Sequence, residues 1–146
     1  MKILFKLMLL GVLVMSVAAW SWGGSKTKEA KAQNGVVKIA LKDVNDGKAH
    51  YFHTKVNGKD VKYFILKSSD GVIRAAFDAC DVCYREKKGY SQQGDFMVCN
   101  NCGMKFHSMK INEVKGGCNP SPLTRTTDKD FVYIKATDIA SGAMYF

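Results

Sequence analysis

Residues 51–66 read YFHTKVNGKDVKYFIL and carry the clearest structural signal in the chain. Residues 51–56 and 61–66 are rich in the β-branched and aromatic side chains typical of strands. Between them lies Asn57-Gly58, a pair that tolerates positive φ angles and favours a tight hairpin turn. This stretch therefore predicts two antiparallel strands joined by a short turn.

Further strands are predicted on both sides of this hairpin. Residues 72–77 form the third strand of an antiparallel meander, because Ser68-Ser69-Asp70-Gly71 is a typical turn sequence. Residues 36–41, 95–99 and 131–135 have the same strand character. No segment has a long helical period, although a short helix is predicted to begin near Asp78 and run through residues 80–87. The predicted fold class is mostly β (α+β): a small antiparallel β-meander domain with cysteine-rich metal-binding loops.

Length and composition limit the class of protein. The 146 residues are enough for one domain, with 47% hydrophobic and 24% charged residues. These values exclude collagen, coiled coils and disordered chains. Lysine and arginine number 22 against 13 acidic residues, a net charge of +9. Since the sequence contains no nucleic-acid-binding motif and basic charge alone is weak evidence, we expect no nucleic-acid partner.

The N-terminus resembles an export signal. Lys2 and Lys6 accompany an apolar run that ends near Val17-Ala18-Ala19, as in a cleaved secretory signal peptide. Residues 1–19 are predicted to be this signal peptide or, alternatively, an uncleaved anchor. From residue 7 to residue 22 the run has 16 residues, fewer than the roughly 20 that span a bilayer. Residues 20–34 are predicted to be a polar linker and residues 35–146 the metal-binding domain, in a periplasmic or otherwise extracytoplasmic location.

Five cysteines carry the predicted chemistry. They occur as Cys80-Asp-Val-Cys83, fifteen residues, Cys99-Asn-Asn-Cys102, fifteen residues, and Cys118. Two C-x-x-C pairs at this separation are typical of a metal site, because each pair can aim two sulfurs at one point. Four thiolates suit zinc, a single iron or an iron–sulfur cluster, and soft thiolates also accept copper. Cys118 follows two glycines and is predicted to lie in a loop near the site, as a ligand or an exchanging thiol.

Other uses of these cysteines remain open at this point. An exported chain meets an oxidising compartment, where disulfides form and C-x-x-C pairs are typical of redox-active dithiols. Tyr84 and Gly103 stand where a covalent c-type haem would require histidine. Asp78, Asp81 and Glu86 are predicted to be solvated charges or hydrogen-bond partners of the first cysteine loop.

The histidines add one possible ligand. His107 follows Cys102 by five residues and is a possible additional ligand of the metal. His50 and His53 lie three residues apart on a predicted strand, so their side chains point to opposite faces. We therefore do not expect His50 and His53 to bind one metal ion together.

The sequence resembles a known family through four motifs. They are Ala75-Ala76-Phe77-Asp78-Ala79-Cys80-Asp81-Val82-Cys83, Lys88-Gly89-Tyr90, Val98-Cys99-Asn100-Asn101-Cys102-Gly103 and Gly116-Gly117-Cys118-Asn119-Pro120. Together they resemble the FtrD-like family of membrane iron–sulfur-containing proteins. The resemblance covers roughly residues 49–123 and implies that all five cysteines belong to the metal centre. It also implies association with bacterial iron-uptake systems, with an iron permease and periplasmic metal-binding proteins as partners. Larger members carry several membrane spans before this domain, whereas this chain has one short apolar segment.

Two functions from different classes are therefore predicted. The first is an exported metal protein, with an iron–sulfur cluster or a single metal ion, that supports electron transfer or metal handling in iron uptake. The second is a structural zinc-ribbon-like interaction module, in which the metal only holds loops together. A thiol–disulfide oxidoreductase is a weaker third alternative. The first function describes a metal or electron-transfer protein rather than a catalyst.

Overall fold

The computed structural model describes residues 27–146, which contain ten strands and one short α-helix. In chain order these are β1 (Lys28–Glu29), β2 (Val36–Ala40), β3 (His50–Val56), β4 (Lys59–Lys67), β5 (Ile73–Phe77), β6 (Tyr90–Gln93), β7 (Phe96–Cys99), β8 (Lys105–His107), β9 (Thr126–Thr127), β10 (Phe131–Lys135) and α1 (Ala136–Ser141). The predicted signal peptide or anchor, residues 1–19, lies outside the described residues, as do residues 20–26 of the predicted linker.

The predicted meander forms the central sheet, with strand order β1-β3-β4-β5. Strand β3 pairs antiparallel with β4, and β4 pairs antiparallel with β5. Val56 is opposite Lys59, so Asn57 and Gly58 are the only two residues of the turn. Their φ angles are 50° and 75°, the positive values that a two-residue hairpin requires. The sequence prediction of a mostly β fold built on this meander is confirmed.

Strand β4 is buried on both faces of the central sheet. Because side chains alternate along a strand, Val61, Tyr63 and Ile65 pack into one hydrophobic core. Phe64 and Leu66 point the other way and pack into a second core. The continuous apolar run of residues 63–66 in β4 is therefore explained by two separate cores, one on each side of the sheet.

The first core lies between the central sheet and a second sheet of order β2-β10-β9. Val37 and Ile39 of β2 and Val132 and Ile134 of β10 face this core, and Ile139 of α1 closes it. No cysteine belongs to this core.

The second core lies between the central sheet and a third sheet of order β6-β7-β8. Tyr90 of β6 and Met97 of β7 pack against Phe64 of the central sheet. Cys80 and Cys99 are buried in the same core. The third sheet thus brings the second cysteine pair to the face of the central sheet from which the first pair emerges.

The structure differs from the sequence prediction at several elements, and the short strands β6, β8 and β9 were not predicted. Lys28 and Glu29, within the predicted linker, pair in parallel with β3, and the Ala30 amide donates to the His53 carbonyl at 2.8 Å. Pairing of this kind uses backbone groups only, so it leaves no apolar stripe in the sequence. The helix predicted over residues 80–87 is wrong, since only a 3-10 turn, Tyr84–Glu86, forms there. Helix α1 has six residues, too few to give a detectable helical period.

Candidate metal centre

Three separate segments of the chain supply the five cysteines. Cys80 and Cys83 lie in the loop that follows β5, while Cys99 ends β7 and Cys102 lies in the turn after it. Cys118 lies in the long loop between β8 and β9. All five are free thiols, with Cys80 and Cys99 buried, Cys83 and Cys118 half-buried and Cys102 exposed. The site therefore has a buried side and a solvent side.

The first cysteine loop folds around the Cys80 sulfur. The Cys83 amide donates to Cys80 Sγ at 3.2 Å, which closes the loop over the sulfur. Burial by itself would raise the pKa of the Cys80 thiol. The nearby Tyr90 hydroxyl and the Cys83 and Val82 amides outweigh burial and lower that pKa below its ordinary value. The loop is thus arranged to stabilise a thiolate, the form that binds metals.

The second cysteine loop turns back through a glycine. Gly103, at a φ of 74°, donates its amide to the Cys99 carbonyl at 2.8 Å and turns the chain back after Cys102. The Met104 amide is the main cause that lowers the pKa of Cys102 to about 7. Burial raises the pKa of Cys99 to about 11. The exposed thiol of this pair is therefore the more acidic one.

The third segment carries Cys118 to the solvent side. Gly116 and Gly117 have φ angles of 95° and 61°, so the chain reverses just before the cysteine. The Tyr90 hydroxyl donates to the Cys118 carbonyl at 2.6 Å and ties this loop to β6. Burial, together with hydrogen bonds to Cys102 and Cys83, raises the pKa of the Cys118 thiol.

The sulfurs form one connected group, which we call the five-sulfur cluster. The Sγ atoms of Cys80, Cys83 and Cys99 lie within 4.8 Å of one another, and so do those of Cys83, Cys102 and Cys118. Cys83 belongs to both sets, and its sulfur lies 3.8 Å from that of Cys118. Thiolates at bond lengths of about 2.3 Å around a tetrahedral ion lie about 3.8 Å apart. The donor type and spacing therefore fit a thiolate-bound metal.

The histidines are not part of this cluster. His107, the possible additional ligand, accepts a hydrogen bond on Nδ1 from the Met109 amide at 3.3 Å and packs edge-on against Phe96. His50 pairs with Asp46 at 2.7 Å, and His53 pairs with Asp60 at 2.6 Å. Among the described residues, the groups able to hold a metal consist of cysteines alone.

Several residues around the cluster support it through hydrogen bonds that no sequence motif indicates. Asp78 accepts from the Tyr90 amide at 2.7 Å, and burial raises the pKa of its carboxyl to about 6. Tyr145 donates to Asp81 in the first cysteine loop at 2.6 Å. The sequence left Asp78, Asp81 and Glu86 as solvated charges or hydrogen-bond partners of this loop; Asp78 and Asp81 accept hydrogen bonds from tyrosines of other segments, and Glu86 is exposed. Tyr90 and Tyr145 were not predicted as partners, since each is distant in sequence from the group that it contacts.

A cavity of about 310 Å³ opens beside the buried sulfurs. Its wall includes Cys80, Cys83 and Cys99, with aromatic rings from Tyr84 and Tyr145. Three lysines also line it, together with two aspartates: Lys59, Lys62, Lys87, Asp60 and Asp78.

Comparison with protein families identifies the chain. Residues 44–146 match the family described as "Membrane iron-sulfur containing protein FtrD-like", which covers more than half of the sequence. The chain belongs to the FtrD-like family. The predicted resemblance is thereby confirmed, and the match contains all five cysteines. The family description names iron–sulfur and membrane association, and the clustered thiols of this FtrD-like chain are suited to hold a metal.

No curated protein matches the chain. The chain is similar in structure to the quaternary ammonium Rieske monooxygenase CntA in complex with an inhibitor, with 16% identity and a TM-score of 0.46, covering 78% of this chain and 32% of that one. The same enzyme with gamma-butyrobetaine gives 16% identity and a TM-score of 0.45, covering 77% and 33%. The chain thus spans about a third of these structures. No helix within residues 27–146 has the length and apolar character needed to cross a membrane.

Proposed function

We propose that this FtrD-like chain is an extracytoplasmic metal protein that passes electrons or handles metal in bacterial iron uptake. The observation that carries the proposal is the convergence of five sulfurs from three separate segments into one cluster. Family membership supports iron as the metal, in an iron–sulfur cluster or as a single ion. Iron held by thiolates supplies one-electron chemistry when it is bound.

The buried side and the solvent side of the site have different roles in this proposal. Cys80, Cys83 and Cys99 would form the buried side of the centre, while Cys102 and Cys118 would form its solvent side. The second core excludes water from the buried side, and the loop amides stabilise thiolate charge. An exposed ligand such as Cys102 gives electrons a short path to a partner protein.

The proposal includes an iron permease and periplasmic metal-binding proteins as partners, as membership of this family implies. It also includes attachment to the membrane through the N-terminal apolar segment where that segment is not cleaved. The net charge of +9 supports contact with an anionic membrane surface or an acidic partner.

Metal analysis of the protein purified from its own compartment tests this function. We expect iron in the preparation, with visible absorbance from thiolate-to-iron charge transfer that changes reversibly on reduction. Acid-labile sulfide distinguishes a cluster from a single iron ion. Cys80→Ser and Cys99→Ser should lose the colour, whereas the matched control His107→Asn should keep it. A colourless protein with no iron would overturn the proposal.

A structural zinc module is the second candidate function. The Cys83–Cys118 sulfur distance of 3.8 Å favours a single tetrahedral ion, zinc or iron, over a cluster, because this is the spacing of two ligands on one such ion. In a cluster, by contrast, cysteines bound to different irons stand further apart. Stoichiometric zinc and no redox response in the same experiment would favour this function over electron transfer.

A further inference from the structure

Cys83 is shared by two groups of sulfurs within the five-sulfur cluster. It is the one residue common to the buried set, Cys80 and Cys99, and to the solvent-facing set, Cys102 and Cys118. A single four-coordinate ion needs four sulfurs at most, so the cluster has one sulfur more than one ion requires. A thiolate sulfur has enough lone pairs to bind two ions at once. The arrangement therefore provides two three-sulfur positions that share Cys83.

We propose that Cys83, Cys102 and Cys118 form a second metal position, facing solvent, for a soft thiophilic ion. This inference rests on the proposed metal-binding function and adds a second ion to it. Soft thiolates select ions such as Cu(I) and zinc, and three thiolates complete the coordination of Cu(I) without a further ligand. Zinc at this position would take a water molecule as its fourth ligand.

The geometry of the Cys118 loop supports a built position. Two successive glycines with positive φ reverse the chain, and the Tyr90 hydroxyl fixes the Cys118 carbonyl at 2.6 Å. The Asn119 side chain donates to the Gly116 carbonyl at 3.1 Å and closes the turn. These contacts hold the Cys118 sulfur 3.8 Å from Cys83, within binding range of the ion that Cys83 would share.

Exposure distinguishes the two positions. Cys80 and Cys99 are 1% and 2% exposed, so an ion bound between them and Cys83 is shielded from solvent. Cys102 is exposed. Val82, within the first cysteine pair, and Met104, two residues after Cys102, are 62% and 53% exposed. An ion in the outer position is thus accessible to the ligands of another protein. The outer position is the one from which metal would be exchanged.

Counting bound ions tests this inference. We propose titrating the reduced protein with Cd²⁺, a soft redox-inert probe, and counting ions per chain by native mass spectrometry and ¹¹³Cd NMR. The wild type should bind two ions with two resonances, and Cys118→Ser should bind one. Its affinity for the second ion should fall by more than about 100-fold, because even groups that only support a ligand account for ~10–100-fold.

Matched variants separate loss of a ligand from loss of the fold. Cys102→Ser alters an exposed side chain outside both cores and should remove the same resonance as Cys118→Ser. Cys80→Ser should remove the other resonance, and Cys83→Ser should weaken both ions. If the wild type saturates with one ion, or if Cys102→Ser and Cys118→Ser retain two, the second position is wrong while the proposed function stands. If the wild type binds none, the proposed function fails too.

Discussion

Arg74 is a buried cation that connects the central sheet to the segment leading towards Cys118. It is 4% exposed, and its guanidinium donates to the Ile111 carbonyl at 2.8 Å. Asp70 and Glu113 neutralise it at 2.7 and 2.8 Å. Because a buried charge without partners is costly, these contacts fix residues 111–113 against β5. The position of the Cys118 loop therefore depends on a side chain that contacts no sulfur.

The dependence of the unfolding free energy on pH under acidic conditions should reveal the contribution of this network. The Ser68 hydroxyl and then Arg74 lower the pKa of Asp70 to about 2, from an ordinary value of 3.8. A lowered folded-state pKa contributes stability above pH 3.8, and this contribution is lost as the pH falls towards about 2. Asp70→Asn should flatten the dependence of the unfolding free energy on pH over this interval, measured by denaturant titration. Asp43→Asn, at an exposed carboxylate, is the control; an unchanged slope in Asp70→Asn would contradict the assignment.

At the residue scale, the sequence predicts which cysteines cluster but not the residues that support them. The spacing of Cys80, Cys83, Cys99 and Cys102 is local, so it predicts that their sulfurs converge. The hydrogen bond from Tyr90 to the Cys118 carbonyl joins residues 28 positions apart. Nothing local in either segment indicates this contact, because it forms only when the fold brings β6 and the β8–β9 loop together.

At the element scale, the C-terminal segment clasps the first cysteine loop. Helix α1 ends at Ser141 and is capped by Gly142, and the 3-10 turn Ala143–Tyr145 follows. A Cβ at Gly142 would lie 2.2 Å from the Phe77 ring, so only glycine allows this close approach. Tyr145 then packs on Phe77 and Tyr84, and its hydroxyl contacts Asp81 and Ser121.

Removing the Tyr145 hydroxyl should loosen this clasp without removing the aromatic packing. Tyr145→Phe deletes the contacts to Asp81 and Ser121, at 2.6 and 3.0 Å, and leaves the buried Ser121 hydroxyl without this partner, whereas the exposed Asp81 carboxylate is hydrated. We expect a loss of about 1–3 kcal/mol in unfolding free energy. We also expect faster release of bound metal to a chelator, because Asp81 lies between Cys80 and Cys83. Tyr133→Phe, which removes an exposed hydroxyl contact to Asp128, is the matched control. Equal release rates in both variants would show that the clasp does not hold the loop.

Secondary-structure elements also differ in how well the local sequence predicts them. The β3–β4 hairpin was predictable because Asn57-Gly58 specifies its turn and the flanking residues favour strands. Strand β1 was not, since two exposed residues pair through their backbone alone. The first cysteine loop was predicted as a helix, but hydrogen bonds from its amides to sulfur replace the helical pattern.

At the scale of the whole molecule, the two cores have different relations to the metal. The first core, between the central sheet and the second sheet, contains no cysteine. The second core contains Cys80 and Cys99, and Cys83 and Cys118 pack against it. Without metal, the three segments that carry the cysteines lose the ion that would join them at the edge of this core. The third sheet should therefore depend on the metal more than the meander does.

Metal removal should separate these two regions. Structural zinc contributes roughly 10–16 kcal/mol to the folding of small metal domains, so its loss can unfold the elements that it joins. After chelation, amides of residues 50–77 should keep most of their protection in hydrogen exchange, because the β3–β4–β5 ladder and the first core remain. Amides of residues 78–123 should exchange much faster. The Cys80→Ser/Cys99→Ser double variant should reproduce this pattern without a chelator, which controls for effects of the chelator itself. Equal protection of both regions after metal removal would show that the second core holds the third sheet without help from the metal.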